Sequence, residues 1–254
     1  MKILITGGNG FLSKGMIEPL ANAGHELYLL DVKPFESEHH VVVGDVSDFD
    51  TVLEACKGMD AIIIAHMLSR TAGAYESPGP VFDVNVKGTA NLLQAAVALE
   101  ITKIVLISSE AVISRHAGTP EANKRHLPML SKNGLYGLGK ILQEVIAEQY
   151  AFEHHLQVAA LRVGYIVDGE KNQDKYGRPV GERAAPDVDR RDIGEVARLC
   201  LERENPGYEF FHVMSTPESM EDYDVQYTCD RLNWKPKYDF TWLPWHGDPK
   251  EDKS

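Results

Sequence analysis

Three residues have the types and spacing for proton and hydride chemistry. Tyr136 and Lys140 are four apart, so on a helix they share a face one turn from each other. Ser109 closes the apolar run Lys103-Ile104-Val105-Leu106-Ile107-Ser108-Ser109. Moving a hydride to or from a carbinol carbon needs a base that exchanges a proton with the carbinol oxygen. A tyrosine hydroxyl, with an ordinary pKa of about 10, is too weakly acidic for that at neutral pH. A lysine ammonium beside it stabilises the phenolate and lowers that value. A serine hydroxyl can hold the substrate oxygen by a hydrogen bond. Asn85 is a candidate anchor for the active-site backbone or a water relay, and His66 is the alternative base. A Tyr-x-x-x-Lys pair by itself is most often a surface pair, so its reading depends on the elements around it.

Those elements begin at the N-terminus. Lys2-Ile3-Leu4-Ile5 has the length of a buried strand, and Thr6-Gly7-Gly8-Asn9-Gly10-Phe11-Leu12-Ser13 follows it directly. A helix is expected from about Leu12 to Ala23, ended by Gly24, and a second strand runs from His25 to Leu30 with Asp31 at its tip. Gly7 permits a tight turn, and Gly10 lets the backbone approach a pyrophosphate at the positive end of the helix. Asp31, twenty-one residues after Gly10, is placed to accept hydrogen bonds from two ribose hydroxyls. The same carboxylate repels a 2′-phosphate, which favours NAD over NADP, although Lys33 offsets part of that repulsion. Ser13 stands where a third small residue keeps helix and strand close. Pro19 is expected to kink or shorten the helix.

Farther along, strands and helices alternate. Strands are expected at His40–Val43, Asp60–Ala65, Lys103–Ser109, Val158–Val163 and Tyr208–Met214, and helices at Asp50–Gly58, Val81–Glu100, Tyr136–Glu153 and Asp192–Glu202. Arg115–Asn133 is polar and turn-rich, Asp168–Asp187 reads as a polar insertion, and the chain from Ser215 on is irregular. This alternation predicts an α/β fold, a Rossmann-type doubly wound parallel sheet with a small C-terminal substrate lobe. The dinucleotide-binding part is expected over 1–167, completed by 188–214. The lobe is expected over 168–187 and 215–247, with a solvated tail at 248–254.

Composition sets limits. Lys and Arg number 26 against 38 Asp and Glu, a net charge of −12, which argues against nucleic-acid and anionic-membrane partners. Cys56, Cys200 and Cys229 are odd in number and far apart, which suits a reducing compartment and not a disulfide framework or a zinc site. The histidine pairs His39-His40 and His154-His155 are adjacent and cannot face one another, so no metal site is expected. No apolar run reaches membrane-spanning length, and strand one leaves no room for a signal peptide, so a cytoplasmic location is expected.

Taken together, these motifs resemble the short-chain dehydrogenase/reductase superfamily in its extended NAD-dependent epimerase/dehydratase branch. The resemblance is carried by Thr6-Gly7-Gly8-Asn9-Gly10-Phe11, Asp31, Gly44-Asp45-Val46, Asn85-Val86-Lys87-Gly88-Thr89, Ile107-Ser108-Ser109, Tyr136-Gly137-Leu138-Gly139-Lys140 and Leu161-Arg162-Val163-Gly164. Leu232-Asn233-Trp234-Lys235-Pro236 is similar to the segment that often closes such chains. The resemblance implies an NAD(P) cofactor, a Ser109-Tyr136-Lys140 catalytic set, an adenine contact at Asp45 and Val46, and dimerisation through the Asn85 and Tyr136 helices. The candidate dinucleotide contacts are Gly7, Gly10, Phe11, Leu12, Asp31, Asp45, Val46, Ala65, Tyr136 and Lys140.

Two departures bear on the substrate. Ile113-Ser114 stands where many sugar-nucleotide members carry Tyr-Gly. Only 254 − 162 = 92 residues follow Arg162, little to grip a nucleotide diphosphate. A free sugar or sugar acid is therefore expected, and uronate dehydrogenases have a similar length and a similar Trp-Lys-Pro ending. Candidate substrate contacts are Ser69, Ser109, Arg115 and Arg178, the arginines as partners of a carboxylate. Arg162 reads as a structural ion pair, and Trp234, Trp242 and Trp245 as closing the lobe. Three functions fit: an oxidoreductase acting once on a hydroxyl, an epimerase that returns the hydride to the other face, and a non-enzymatic NAD-binding regulator.

Overall fold

The computed structural model describes residues 1–68, 77–113, 130–204 and 206–247. The alternation resolves into β1 (Lys2–Thr6), α1 (Phe11–Asn22), β2 (Glu26–Asp31), β3 (His40–Val43), α2 (Phe49–Cys56) and β4 (Ala61–Ile64). Next come α3 (Pro78–Val81), a π-helical turn at Phe82–Lys87, α4 (Gly88–Ala98), β5 (Lys103–Ser109) and a 3₁₀ turn at Glu110–Ile113. After α5 (Gly134–His154) and β6 (Gln157–Val163) the chain forms β7 (Tyr165–Asp168), β8 (Gln173–Asp174) and β9 (Asp187–Asp189). It closes with α6 (Arg190–Glu202), β10 (Tyr208–Val213), α7 (Ser219–Asp222) and α8 (Val225–Leu232).

Seven strands pair in parallel in the order β10-β6-β5-β4-β1-β2-β3. Strand alternation divides the core into two layers. Ile3, Ile5, Ile63, Val105 and Ile107 face the layer that includes α1 and α6, whereas Leu4, Ile62, Ile64, Ile104 and Leu106 face the layer of α2, α4 and α5. Both sheet faces are covered, as a parallel sheet requires. The chain winds outward from β1 in one direction through β2 and β3. It winds in the other through β4, β5, β6 and β10, so strand order reverses between β1 and β4.

Several local details differ from expectation. Pro19 does not shorten α1, which runs through it to Asn22. It lies in the last turn, and its ring packs against α6 at Gly194. The helix expected at Val81–Glu100 starts at Pro78 and is interrupted by the π turn. The polar insertion carries β8, which joins the flanking β7 and β9 in a separate three-stranded sheet, and the stretch after Ser215 contains α7 and α8. Trp234 is buried in the main core beside α6, while Trp242 packs against Phe240 and Trp245 lies beneath Arg183. The 248–254 tail lies outside the described residues. No described helix is long and apolar enough to cross a membrane.

Candidate active site

The glycine turn is built against the reversal point. Gly7 has φ +68°, and a Cβ there would come within 3.0 Å of the His66 Cα, just past β4. Gly8 is equally constrained, since a Cβ would meet Leu29 of β2 at 2.6 Å. Gly10 is the N-cap of α1 and caps it without a side chain. The first-turn N–H groups at Phe11 and Leu12 are thus left to an external acceptor. Ser13 is buried and donates to the Gly7 carbonyl at 2.7 Å, so its hydroxyl ties the turn together.

Asp31 sits between two backbone segments. Its Oδ2 accepts from the Asn9 amide at 3.0 Å, and its carbonyl accepts from Gly44 at 2.9 Å. Asp45 is exposed and bonds the Ser47 amide at 2.8 Å; Val46 is buried against Gly88. These placements put a carboxylate, a bare helix N-terminus and an apolar wall along one sheet edge. That is the donor, acceptor and shape set a dinucleotide needs, so the residues present fit the cofactor.

Sequence reasoning missed Thr6. Its buried Oγ1 accepts from the Ala65 and His66 amides at 3.0 and 3.2 Å and bonds His66 Nδ1 at 2.9 Å. One hydroxyl thus clamps the ends of β1 and β4 together. The only signal was its position between the apolar strand and the first glycine. His66 belongs to this clamp through its Nδ1. Burial, with Lys140 adding to it, pushes its pKa down to about 3, so the imidazole stays neutral and is committed to Thr6.

Asn85 lies in the π turn, buried, and its Oδ1 accepts from the Leu68 amide at 2.9 Å, anchoring the segment after β4. Such single π turns are frequent at functional sites. Gly139 of α5 faces the Asn85 Nδ2, with 3.4 Å to where a Cβ would stand, so α5 packs closely on this turn. Lys140 follows. Its Nζ is buried and donates to the Ile107 carbonyl at 2.6 Å. Burial pulls its pKa down to about 8, Glu144 opposes that, and Lys175 adds to the pull. Ser109 is buried at the end of β5 and its Oγ accepts from the Ala111 amide at 3.2 Å. Tyr136 is half-buried in the first turn of α5.

The remaining candidates are held by partners of their own or lie outside the described residues. Arg178 is engaged within the lobe, with Nε on Asp174 at 2.7 Å and Nη2 on the Tyr165 hydroxyl at 3.1 Å; its side chain is 65% exposed. Ser69, Arg115 and Ser114 lie outside the described residues. Arg162 forms the buried ion pair expected of it, with Glu144 at 2.8 Å.

A parallel sheet that reverses beside a glycine turn, with an acid at the tip of β2, defines a Rossmann-fold dinucleotide-binding protein. Lys140 and Ser109 both lie at the end of β5. Residues 3–184 match the NAD-dependent epimerase/dehydratase family, and the chain belongs to it. It is therefore an NAD-dependent enzyme of the dehydrogenase and epimerase type. Among its relatives is L-arabinose 1-dehydrogenase (NAD(P)(+)) of Haloferax volcanii, 27% identical over 68% of this chain and 70% of the relative. NAD-dependent glucose-6-phosphate dehydrogenase of the same organism is 23% identical over 98% of both chains. Among solved structures, uronate dehydrogenase from Agrobacterium tumefaciens superposes with a TM-score of 0.73 at 22% identity, covering 94% of this chain and 85% of that one. UDP-glucose 4-epimerase from Thermus thermophilus in complex with NAD gives 0.67 at 20% identity, with 93% and 85% covered.

Proposed function

We propose that this protein oxidises a hydroxyl-bearing carbon of a small sugar or sugar acid with NAD. The observation that carries the reading is the meeting of Lys140 and the β5 terminus at the edge that also holds the glycine turn. Bound NAD supplies the hydride acceptor. Gly7, Gly10, Phe11, Leu12 and Ala65 line its pyrophosphate side, Asp31 its ribose, and Asp45 and Val46 its adenine. Ser109 holds the substrate oxygen. Tyr136, as phenolate, takes the hydroxyl proton while the hydride leaves the same carbon. Lys140 keeps the phenolate stable.

The small lobe supports a substrate without a nucleotide handle. Its sheet holds three strands, of four, two and three residues. The two sugar dehydrogenases among the relatives favour oxidation. The epimerase among the solved structures keeps epimerisation as the second reading, which would leave NAD unconsumed. Arg178 and Arg115 are the arginines for a substrate carboxylate, and Ser69 a further hydroxyl contact. A homodimer through α4 and α5 and a cytoplasmic location, suited to three free cysteines, complete the proposal.

The test is a panel of L-arabinose, glucose 6-phosphate, D-glucuronate, D-galacturonate and UDP-glucose, assayed with NAD for NADH absorbance. Net NADH from a free sugar or sugar acid supports oxidation. Micromolar affinity for UDP-glucose alone, with its 4-epimer appearing and no net NADH, would move the assignment to the epimerase.

A further inference from the structure

The end of β5 overhangs one of its neighbours. Pairing with β4 stops at Ile64↔Leu106, whereas pairing with β6 continues to Ser109↔Val163. Ile107, Ser108 and Ser109 thus have a strand on one side only. Two side chains of α5, one turn apart, hold this overhang. Lys140 Nζ donates to the Ile107 carbonyl at 2.6 Å, and Ser108 Oγ donates to Glu144 Oε1.

Glu144 accepts from three more donors. Arg162 gives Nε at 3.1 Å and Nη2 at 2.8 Å, and Tyr208 gives its hydroxyl at 2.9 Å. Four elements, α5, β5, β6 and β10, therefore converge on one carboxylate that is 1% exposed. For stability alone this is a poor arrangement, because well-packed apolar side chains of similar volume do as well as a buried ion pair. Its location is more informative. Glu144 is one turn past Lys140 and two past Tyr136 on the same helix, and Ser108 is flanked by the residue that holds Lys140 and by Ser109.

We propose that Glu144 is the positioning residue of this site. Through Ser108 it fixes the β5 overhang against α5, and its charge holds the Lys140 ammonium in the protonated form that Tyr136 needs. The inference rests on the roles given above to Ser109, Tyr136 and Lys140. The charges bearing on Lys140 are Glu144 in favour of the ammonium and Lys175 against it; burial also opposes it. His66, which feels the Lys140 charge from the β4 side, stays neutral.

Two variants separate positioning from support. Glu144→Gln keeps the shape and removes the charge. Ser108→Ala cuts the tether to β5 and leaves the ion pair intact, so it remains informative if Glu144→Gln does not fold. Tyr208→Phe removes a donor from the same carboxylate without touching β5 and serves as the control. The Lys140 titration is read in the apo protein from ¹³C-labelled lysine, with Lys140→Arg for assignment, and needs no substrate. Glu144→Gln should lower the midpoint by about one pH unit or more, the usual effect of losing a near opposite charge. In Ser108→Ala, amide exchange at Ile107–Ser109 should speed up relative to β1. Its turnover on the active panel sugar should fall about tenfold or more with NAD affinity unchanged, whereas Tyr208→Phe stays within about twofold. An unmoved Lys140 midpoint in a folded Glu144→Gln overturns the electrostatic role. Unchanged exchange and turnover in Ser108→Ala overturn the positioning role. Tyr136→Phe with full turnover would instead sink the catalytic reading and leave the titration result standing.

Discussion

Tyr136 carries the titrating group of the proposed reaction, and replacing it is the most direct test at the residue scale. Tyr136→Phe removes one hydroxyl, so fold and NAD binding should survive. Turnover should fall about two to four orders of magnitude, the share of a positioned acid–base. Stopped-flow or steady-state NADH formation checks this, and near wild-type rates would require another base. His66, bonded to Thr6 and with its proton affinity lowered by burial, would be a weak substitute. Lys140→Met removes the nearest cation from the phenolate. The Tyr136 pKa then rises, and the pH at which activity appears should rise with it. Asp31 governs cofactor choice on the same scale. Its carboxylate lies at the β2 tip, bonded to the Asn9 amide. NADP, whose 2′-phosphate would face it, should bind more weakly than NAD, and Asp31→Ala should narrow the gap. A wild-type dissociation constant lower for NADP than for NAD would contradict the assignment.

At the scale of single elements, α5 has two faces with different work. Its buried face presents Lys140, Gln143, Glu144, Ala147 and Ala151 to the sheet. Its outer face leaves Leu138, Val145 and Phe152 exposed at seven-residue spacing, Phe152 by 82%. Three apolar side chains at seven-residue spacing form a ridge on one side of the helix that a second helix can cover. Together with Phe82, also exposed, it makes α5 the expected two-fold contact of a homodimer. Light scattering at micromolar concentration should give twice the chain mass. Phe152→Asp should shift it toward the monomer while leaving the far-UV spectrum intact. A monomeric wild type would remove this interface.

At the scale of the whole molecule, buried histidines should make the protein acid-labile. His66 and His212 are both buried, and burial holds each near a pKa of about 3, far below the ordinary 6.5. Neither ring nitrogen of His212 has a hydrogen-bond partner among the described residues. The unfolded chain takes up these protons below about pH 6.5 and the folded chain does not, so stability present at neutral pH is lost as pH falls. The loss amounts to about 2 kcal/mol per histidine between pH 7 and pH 5. Asp187 acts in the opposite sense. Burial raises it to about 6, so its cost is largest above that pH and is relieved as pH falls. Asp192 and Glu110, also raised by burial, act in the same sense as Asp187, and the two histidines set the expected direction. Calorimetry should show Tm lower at pH 5 than at pH 7 by on the order of 5–10 °C. An equal Tm would show that the imidazoles accept protons in the folded state.

The sequence by itself determined the class of fold and named most of the candidate site residues. Period-two and continuous apolar runs name strands whatever their neighbours, and Gly7, Gly10, Asp31, Tyr136 and Lys140 are recognisable because their spacing is local. Pairing of strands that are distant in the chain is not local, and only the tertiary structure decided it. It set β4 beside β1, which turns Thr6 and His66 into a clamp. It ended the β4 pairing at Leu106 and brought Glu144, Arg162 and Tyr208 from three elements onto the β5 overhang. It also built a second sheet from β7, β8 and β9 around the polar insertion, where strands of two to four residues leave too short an alternation to read. Local chemistry is written in adjacent residues, whereas burial and charge pairing arise when remote segments meet.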